Sequence, residues 1–265
     1  MKIRNEILLP VFVTALVLSG CEKPETPAPD PELNIVSETV QAVYEGGEYE
    51  IAYTLDNPVE GCEIKAVPEV DWIGVPDCSQ EGKIVFTVEA NLSKEQREGS
   101  IVVSYDYGDG LFQRGRVNVV QDGCPYDYIF NATKAFGSYY EGDGDYYTYL
   151  SDLGVDEEGY PLAGGTYYLF DIYVSAPYSG SGDVAAPEGT YVFSEDGDDY
   201  VSLDYSEWFK MDDSGSDYEV SGSYESGTLT ISKDDSGNWV YRAELTDDEG
   251  RTHLVLYTGP VNLGI

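Results

Sequence analysis

From Leu33 to Ile265 the chain is a series of short β-branched and aromatic runs, each broken within a few residues by Gly, Asp, Asn or Pro. No stretch sustains the apolar spacing of an amphipathic helix, whereas two-residue alternation recurs. Ile84, Phe86 and Val88 alternate with Val85, Thr87 and Glu89, which sets one face for a core and the other for water. This punctuation predicts an all-β body. Its length and its 42% hydrophobic content suit two folded domains.

In the first half the predicted strands are Gly47 to Leu55, Cys62 to Val67, Trp72 to Val75, Lys83 to Ala90, Gly99 to Tyr105 and Arg116 to Gln121. Their spacing fits a small sandwich over residues 33–123. Over residues 124–265 they are Ala132 to Tyr140, Asp145 to Asp152, Thr166 to Ser175, Gly189 to Phe193, Tyr218 to Tyr224, Gly227 to Ser232, Asn238 to Thr246 and Arg251 to Thr258. Asp143-Gly144, Asp196-Gly197, Ser236-Gly237 and Glu249-Gly250 lie between them, as consecutive antiparallel hairpins require. Such a chain closes into an antiparallel β-barrel, a lipocalin-like meander, or stacks as a β-sandwich; the turns do not choose.

The first 32 residues read differently. Lys2 and Arg4 precede an uncharged, mostly apolar run from Ile7 to Leu18, then Ser19, Gly20 and Cys21, the layout of a secretory signal over residues 1–20. As a helix that run reaches only about 18 Å, short of a bilayer core of about 30 Å, so it is not a membrane span. Leu18-Ser19-Gly20-Cys21 resembles a bacterial lipobox, which implies a lipid on Cys21 and export to the cell envelope. Glu22 to Glu32, EKPETPAPDPE, reads as an extended spacer that completes a lipid-anchored linker over residues 21–32. The expected location is the outer membrane, at the cell surface or on its periplasmic face.

The formal charge is -36, and loss of the leader makes it more negative. Nucleic acid requires clustered Lys and Arg, which this chain lacks, and acidic polysaccharides are repelled. Besides Cys21 there are Cys62, Cys78 and Cys124. Cys62 and Cys78 can close a short disulfide loop contributing roughly 3 kcal/mol, with one thiol left over. None of the three shows C-x-x-C spacing, and the acidic turns lack a calcium-loop pattern, so no metal and no cofactor is expected.

The run from Leu33 to Gly123 resembles the BACON domain, the Bacteroidetes-Associated Carbohydrate-binding Often N-terminal family, through Asp71-Trp72-Ile73, Thr87-Val88-Glu89-Ala90-Asn91, Arg97-Glu98-Gly99-Ser100-Ile101 and Val117-Asn118-Val119-Val120-Gln121. The resemblance implies an immunoglobulin-like sandwich that accompanies glycan-degrading proteins, with a role of spacer as much as binder. The pattern from Ser226-Gly227-Thr228-Leu229-Thr230-Ile231 to Tyr257-Thr258-Gly259-Pro260 is similar to C-terminal modules of other lipoproteins of that phylum.

Tyrosine is the unusual residue, with 24 in the chain. Adjacent strand residues face opposite sides, so Tyr139-Tyr140, Tyr146-Tyr147 and Tyr167-Tyr168 each send one ring outward. In Thr166 to Ser175 the core face is Tyr168, Phe170, Ile172 and Val174, leaving Tyr167, Leu169, Asp171 and Tyr173 on the other. Tyr167, Tyr173, Asp171 and the loop-like Trp208 are the candidate ligand residues. Rings and carboxylates suit a neutral glycan and suit an envelope protein partner equally. A small apolar molecule carried inside a barrel is a third reading. His253 is the only histidine, with no G-x-S-x-G or H-E-x-x-H around it, so no enzyme is expected.

Overall fold

The computed structural model describes residues 29–140, 144–175 and 183–264. The leader and Cys21, with the expected lipidation, lie outside the described residues. Every regular element described is a strand, and no helix among these residues is long and apolar enough to cross a membrane.

The first seven strands are β1 (Glu32–Ile35), β2 (Thr39–Ala42), β3 (Gly47–Asp56), β4 (Ile64–Pro68), β5 (Lys83–Val88), β6 (Arg97–Gly108) and β7 (Leu111–Gln121). They form two sheets, β1-β3-β5 and β2-β7-β6-β4, antiparallel except for the β2–β7 pair. Ile51, Ile84, Phe86 and Val88 face Ile101, Val103, Tyr105, Val117 and Val119 across the interior. Each such side chain contributes about 1.5–3 kcal/mol by leaving water. The strand predicted from Trp72 to Val75 is reduced to one bridge, Ile73 to Val88. Gly74 there lies against the Thr87 side chain, and only Ile73 is sunk into the core.

The motif residues singled out in the first half of the chain serve this scaffold. The Arg97 guanidinium lies 4.4 Å from the centre of the Trp72 ring and donates to the carbonyls of Glu89 and Ala90. Gly99 leaves room for that ring, because a Cβ there would stand 2.8 Å from Trp72 Cζ2. Buried Gln121 accepts from Arg97 Nε and donates to the carbonyls of Val43, Tyr44 and Glu89. Asn91 ties Glu95 to Asp122 through two backbone carbonyls. These polar groups close the base of the sandwich with their hydrogen bonds made.

The remaining strands are β8 (Tyr128–Asn131), β9 (Lys134–Tyr140), β10 (Asp145–Ser151), β11 (Thr166–Val174), β12 (Gly189–Ser194), β13 (Asp199–Ser202), β14 (Glu207–Met211), β15 (Tyr218–Lys233), β16 (Trp239–Asp247) and β17 (Thr252–Gly259). They make one sheet in the order β8-β17-β16-β15-β12-β13-β11-β10-β9, with β14 bridging β11 and β15. The sheet curls until β9 meets the chain end, where Tyr139 N donates to Gly264 O at 2.6 Å and Gly264 N to Gly137 O at 3.1 Å. The arrangement is a small barrel.

Its path departs from a simple meander. β12 and β13 run parallel, so Asp196-Gly197 joins them without making a hairpin. Tyr218 to Lys233 is a single strand, since a bulge between Tyr224 and Ser226 absorbs the break expected at Glu225-Ser226. Rings of Tyr139, Tyr146, Tyr168, Phe170, Phe193, Trp208, Tyr224, Tyr241 and Tyr257 fill the interior. That filling leaves the small-ligand carrier reading without support among the described residues.

Candidate functional site

Antiparallel register sorts the tyrosines of the barrel by face. On β10, Tyr146, Thr148 and Leu150 point inward, so Asp145, Tyr147 and Tyr149 point out. Pairing with β9 and β11 then lays out rows on the outer surface. Tyr140, Asp145, Tyr173 and Tyr200 stand side by side in the first, Ser138, Tyr147 and Asp171 in the second, and Phe136, Tyr149, Leu169 and Glu207 in the third. With strands about 4.8 Å apart, the first row spans roughly 14 Å.

Tyr173 and Tyr200 stack at 5.2 Å with ring planes 13° apart, both half-buried. Phe136 and Tyr149 stack at 5.3 Å, and Tyr147 meets Tyr149 edge-on at 5.6 Å. Each contact contributes about 0.5–1.5 kcal/mol beyond area burial and holds the rings in fixed orientations. Tyr140, in the first row, is exposed, as is Tyr205 in the turn before β14. Burial, then the carboxylates of Asp171 and Glu207, push the Tyr147 hydroxyl up, and burial with Asp171 and Asp145 does the same to Tyr173. These hydroxyls stay protonated and able to donate.

Of the residues marked by sequence, Tyr173 and Asp171 do meet on this face. Asp171 is 2% exposed, with its backbone N donating to Ser206 Oγ at 3.0 Å. Tyr167 points to the outer face as expected but offers no surface. Residues 152–165 fold over it, its hydroxyl accepts from Leu162 N at 2.7 Å and donates to Gly154 O, and its ring stacks on Phe209. With Phe209 and Met211 it forms a second small core outside the barrel. Trp208 lies in β14, not in a loop, and turns inward onto Tyr168 at 6.0 Å. The five-residue strand is too short to show alternation, which is why its ring read as loop-borne. Cys62 and Cys78 are free thiols lining one cleft of about 810 Å³ in the sandwich, so the considered disulfide is not formed.

Sequence reasoning missed Tyr200 and Glu207 as members of the face, because only the pairing of β11 with β13 and β14 brings them beside Tyr173 and Leu169. The acidic turns are occupied by their own backbone. Asp212 Oδ1 accepts from Ser214 N and Ser216 N, and Asp234 Oδ1 from Ser236 N and Asn238 N.

No family model matches this chain, and no curated protein matches it. Among solved structures it is similar to the Bacteroides ovatus GH5 xyloglucanase in complex with a XXXG heptasaccharide, at 22% identity over 39% of this chain and 22% of that one, with a TM-score of 0.27. The SGBP-B of the Bacteroides ovatus mixed-linkage glucan utilization locus, in complex with a mixed-linkage heptasaccharide, is 11% identical over 88% of this chain and 48% of that one, with a TM-score of 0.26. A Bacteroides thetaiotaomicron protein solved by NMR is 16% identical over 40% of this chain and 99% of that one, with a TM-score of 0.24. The chain thus spans less than half the length of the first two. Likeness of this degree assigns no function.

The chemistry of the face rests on its own geometry. Flat rings offer surface to the C–H side of a sugar ring, while Glu207 and the tyrosine hydroxyls can exchange hydrogen bonds with its hydroxyls.

Proposed function

We propose that the chain is a non-catalytic cell-envelope lipoprotein whose barrel binds a neutral glycan on its outer face, with the BACON-like sandwich as spacer from a lipid anchor at Cys21. One observation carries this reading: each of the three rows sets at least one partly exposed tyrosine ring on the same face as a carboxyl group, with no cation in any of them. Rings without carboxylates would suit an apolar ligand, and carboxylates without rings would suit only cations. Their combination at fixed strand spacing suits a polyhydroxylated ligand with apolar faces. Repulsion disfavours uronate or sulfated chains.

Two further features agree with this. The polar residues of the BACON-like motif are spent on internal hydrogen bonds, as a spacer requires. Asp171, beside Asp145, is 2% exposed, enclosed within the face and not set open to a substrate as an acid or base. The reading places the protein at the outer membrane in a glycan-uptake system. Affinity electrophoresis against a panel of neutral polysaccharides tests it. Retardation by at least one is expected, and unchanged mobility in all of them would remove the idea. A second reading, a basic protein partner, is favoured by exposed Tyr140 and Tyr205 on a chain of formal charge -36. Pull-down from cell envelopes that persists in excess glycan would select it.

A further inference from the structure

The most unusual feature of this face is a pair of carboxyl groups, each with one enclosed oxygen and neither with a counter-charge. Asp145 faces Tyr173 across the β10–β11 ladder and Tyr147 faces Asp171, so the two aspartates are diagonal neighbours on one surface. Oδ1 of each has under 1 Å² of accessible surface and no hydrogen-bond partner. Two ionised carboxylates cannot rest in such contact. The groups around them are Tyr147 and Tyr140 from β10 and β9, Tyr173 from β11, Tyr200 from β13 with Asp196 and Asp204 beside it, and Glu207 from β14. None is a cation. The oxygens are too enclosed for a bound water, and no group of three metal-ligating side chains occurs among the described residues. A single proton between them gives each orphaned oxygen a partner.

We propose that Asp171 keeps its proton in the folded protein and offers it to Asp145, and that this proton holds the Tyr173–Tyr200 platform together. Removing it would place two negative charges under the stacked rings and push β10 from β11 at that point. Burial first, and then the hydrogen bond and charge of Asp145, raise Asp171 to about 8, in agreement with the geometry. The folded state therefore holds a proton that the unfolded chain releases near pH 3.9. The associated stability is fully present below that value and is lost as pH rises through about 8. If the face binds glycan as proposed above, binding weakens over the same alkaline window.

Carbon-13 NMR of aspartate carboxyl groups in the full chain, in detergent, reads the proton directly. One carboxyl is expected to titrate in the mildly alkaline range, to vanish from that range in Asp171→Asn and to move to lower pH in Asp145→Asn. All aspartates ionised by about pH 6 would overturn the proposal. Urea unfolding supplies a second measure. The wild-type midpoint should fall between about pH 6 and about pH 9 while that of Asp171→Asn stays level; parallel falls would also overturn it. Affinity electrophoresis at both pH values separates the two claims. An alkaline titration with no glycan retained at either pH upholds the retained proton and refutes the glycan reading. Retention unchanged by pH, with the titration present, refutes the role of the proton in holding the platform.

Discussion

His253 shows how much one side chain can depend on partners far away in sequence. It is fully buried, with Nδ1 accepting from the Tyr168 hydroxyl at 2.9 Å and Nε2 donating to Asp247 Oδ2 at 3.1 Å. Asp247 is also held by Arg251 Nε at 2.7 Å and by the backbone N of Glu249 and Arg251. Burial drives the imidazole below its ordinary value despite the carboxylate, so the folded protein keeps it neutral. The unfolded chain takes up that proton below about pH 6.5, and stability therefore falls as pH drops through this point toward the lower folded value. His253→Phe should flatten that acid slope and cost on the order of 2 kcal/mol, since Asp247 and Tyr168 each lose a partner; urea unfolding between about pH 5 and 7 measures both. At this scale the sequence was legible in part. Alternation correctly sent Asp171 and Tyr173 outward and read His253 as a strand residue. The cover over Tyr167 comes from residues 152–165, which carry no periodicity, and the partners of His253 lie up to 85 positions away.

The elements are held by backbone fit as much as by side chains. Gly137 in β9 has φ of 152°, and a Cβ there would stand 1.8 Å from the Tyr147 carbonyl oxygen. Gly137→Ala should therefore part β9 from β10 beneath the tyrosine rows and cost about 2–3 kcal/mol, read as a lowered urea midpoint. Most long strands could be read from the chain because alternation over six or more residues is hard to imitate. The hairpins at Gly237 and Gly250 were legible too, and both glycines have the positive φ their turns demand. Strands β1, β2, β8 and β13, each of four residues, were not. So short a run shows too little alternation to stand apart from a loop. The parallel β12–β13 pair was hidden for another reason: an Asp-Gly turn signal fixes local backbone and not which strand lies alongside.

Across the whole molecule the sandwich and the barrel meet through a set of short contacts. Cys124 N donates to Ser93 O at 2.7 Å, and Lys94 Nζ reaches Pro125 O at 3.0 Å and Asp127 at 2.9 Å. Tyr44 and Tyr126 meet edge to face at 5.9 Å. Gly123 lies against Lys94, where a Cβ would come within 2.0 Å of the carbonyl oxygen. The Lys94–Asp127 pair is exposed and screened by solvent, so Lys94→Ala should leave the shape unchanged. Gly123→Val should open the junction and raise the radius of gyration in small-angle scattering, while each β core unfolds as before. A junction held in this way suits a spacer that presents a binding face at a set orientation. The most direct measurement compares retention of wild type, Val75→Ala and the double variant Tyr173→Ala, Tyr200→Ala in a gel of a neutral polysaccharide that retards the wild type. Val75, 90% exposed on the sandwich, should leave binding intact. The double variant should lose about tenfold or more in affinity, equivalent to 1.4 kcal/mol. Equal retention of all three proteins would contradict the account.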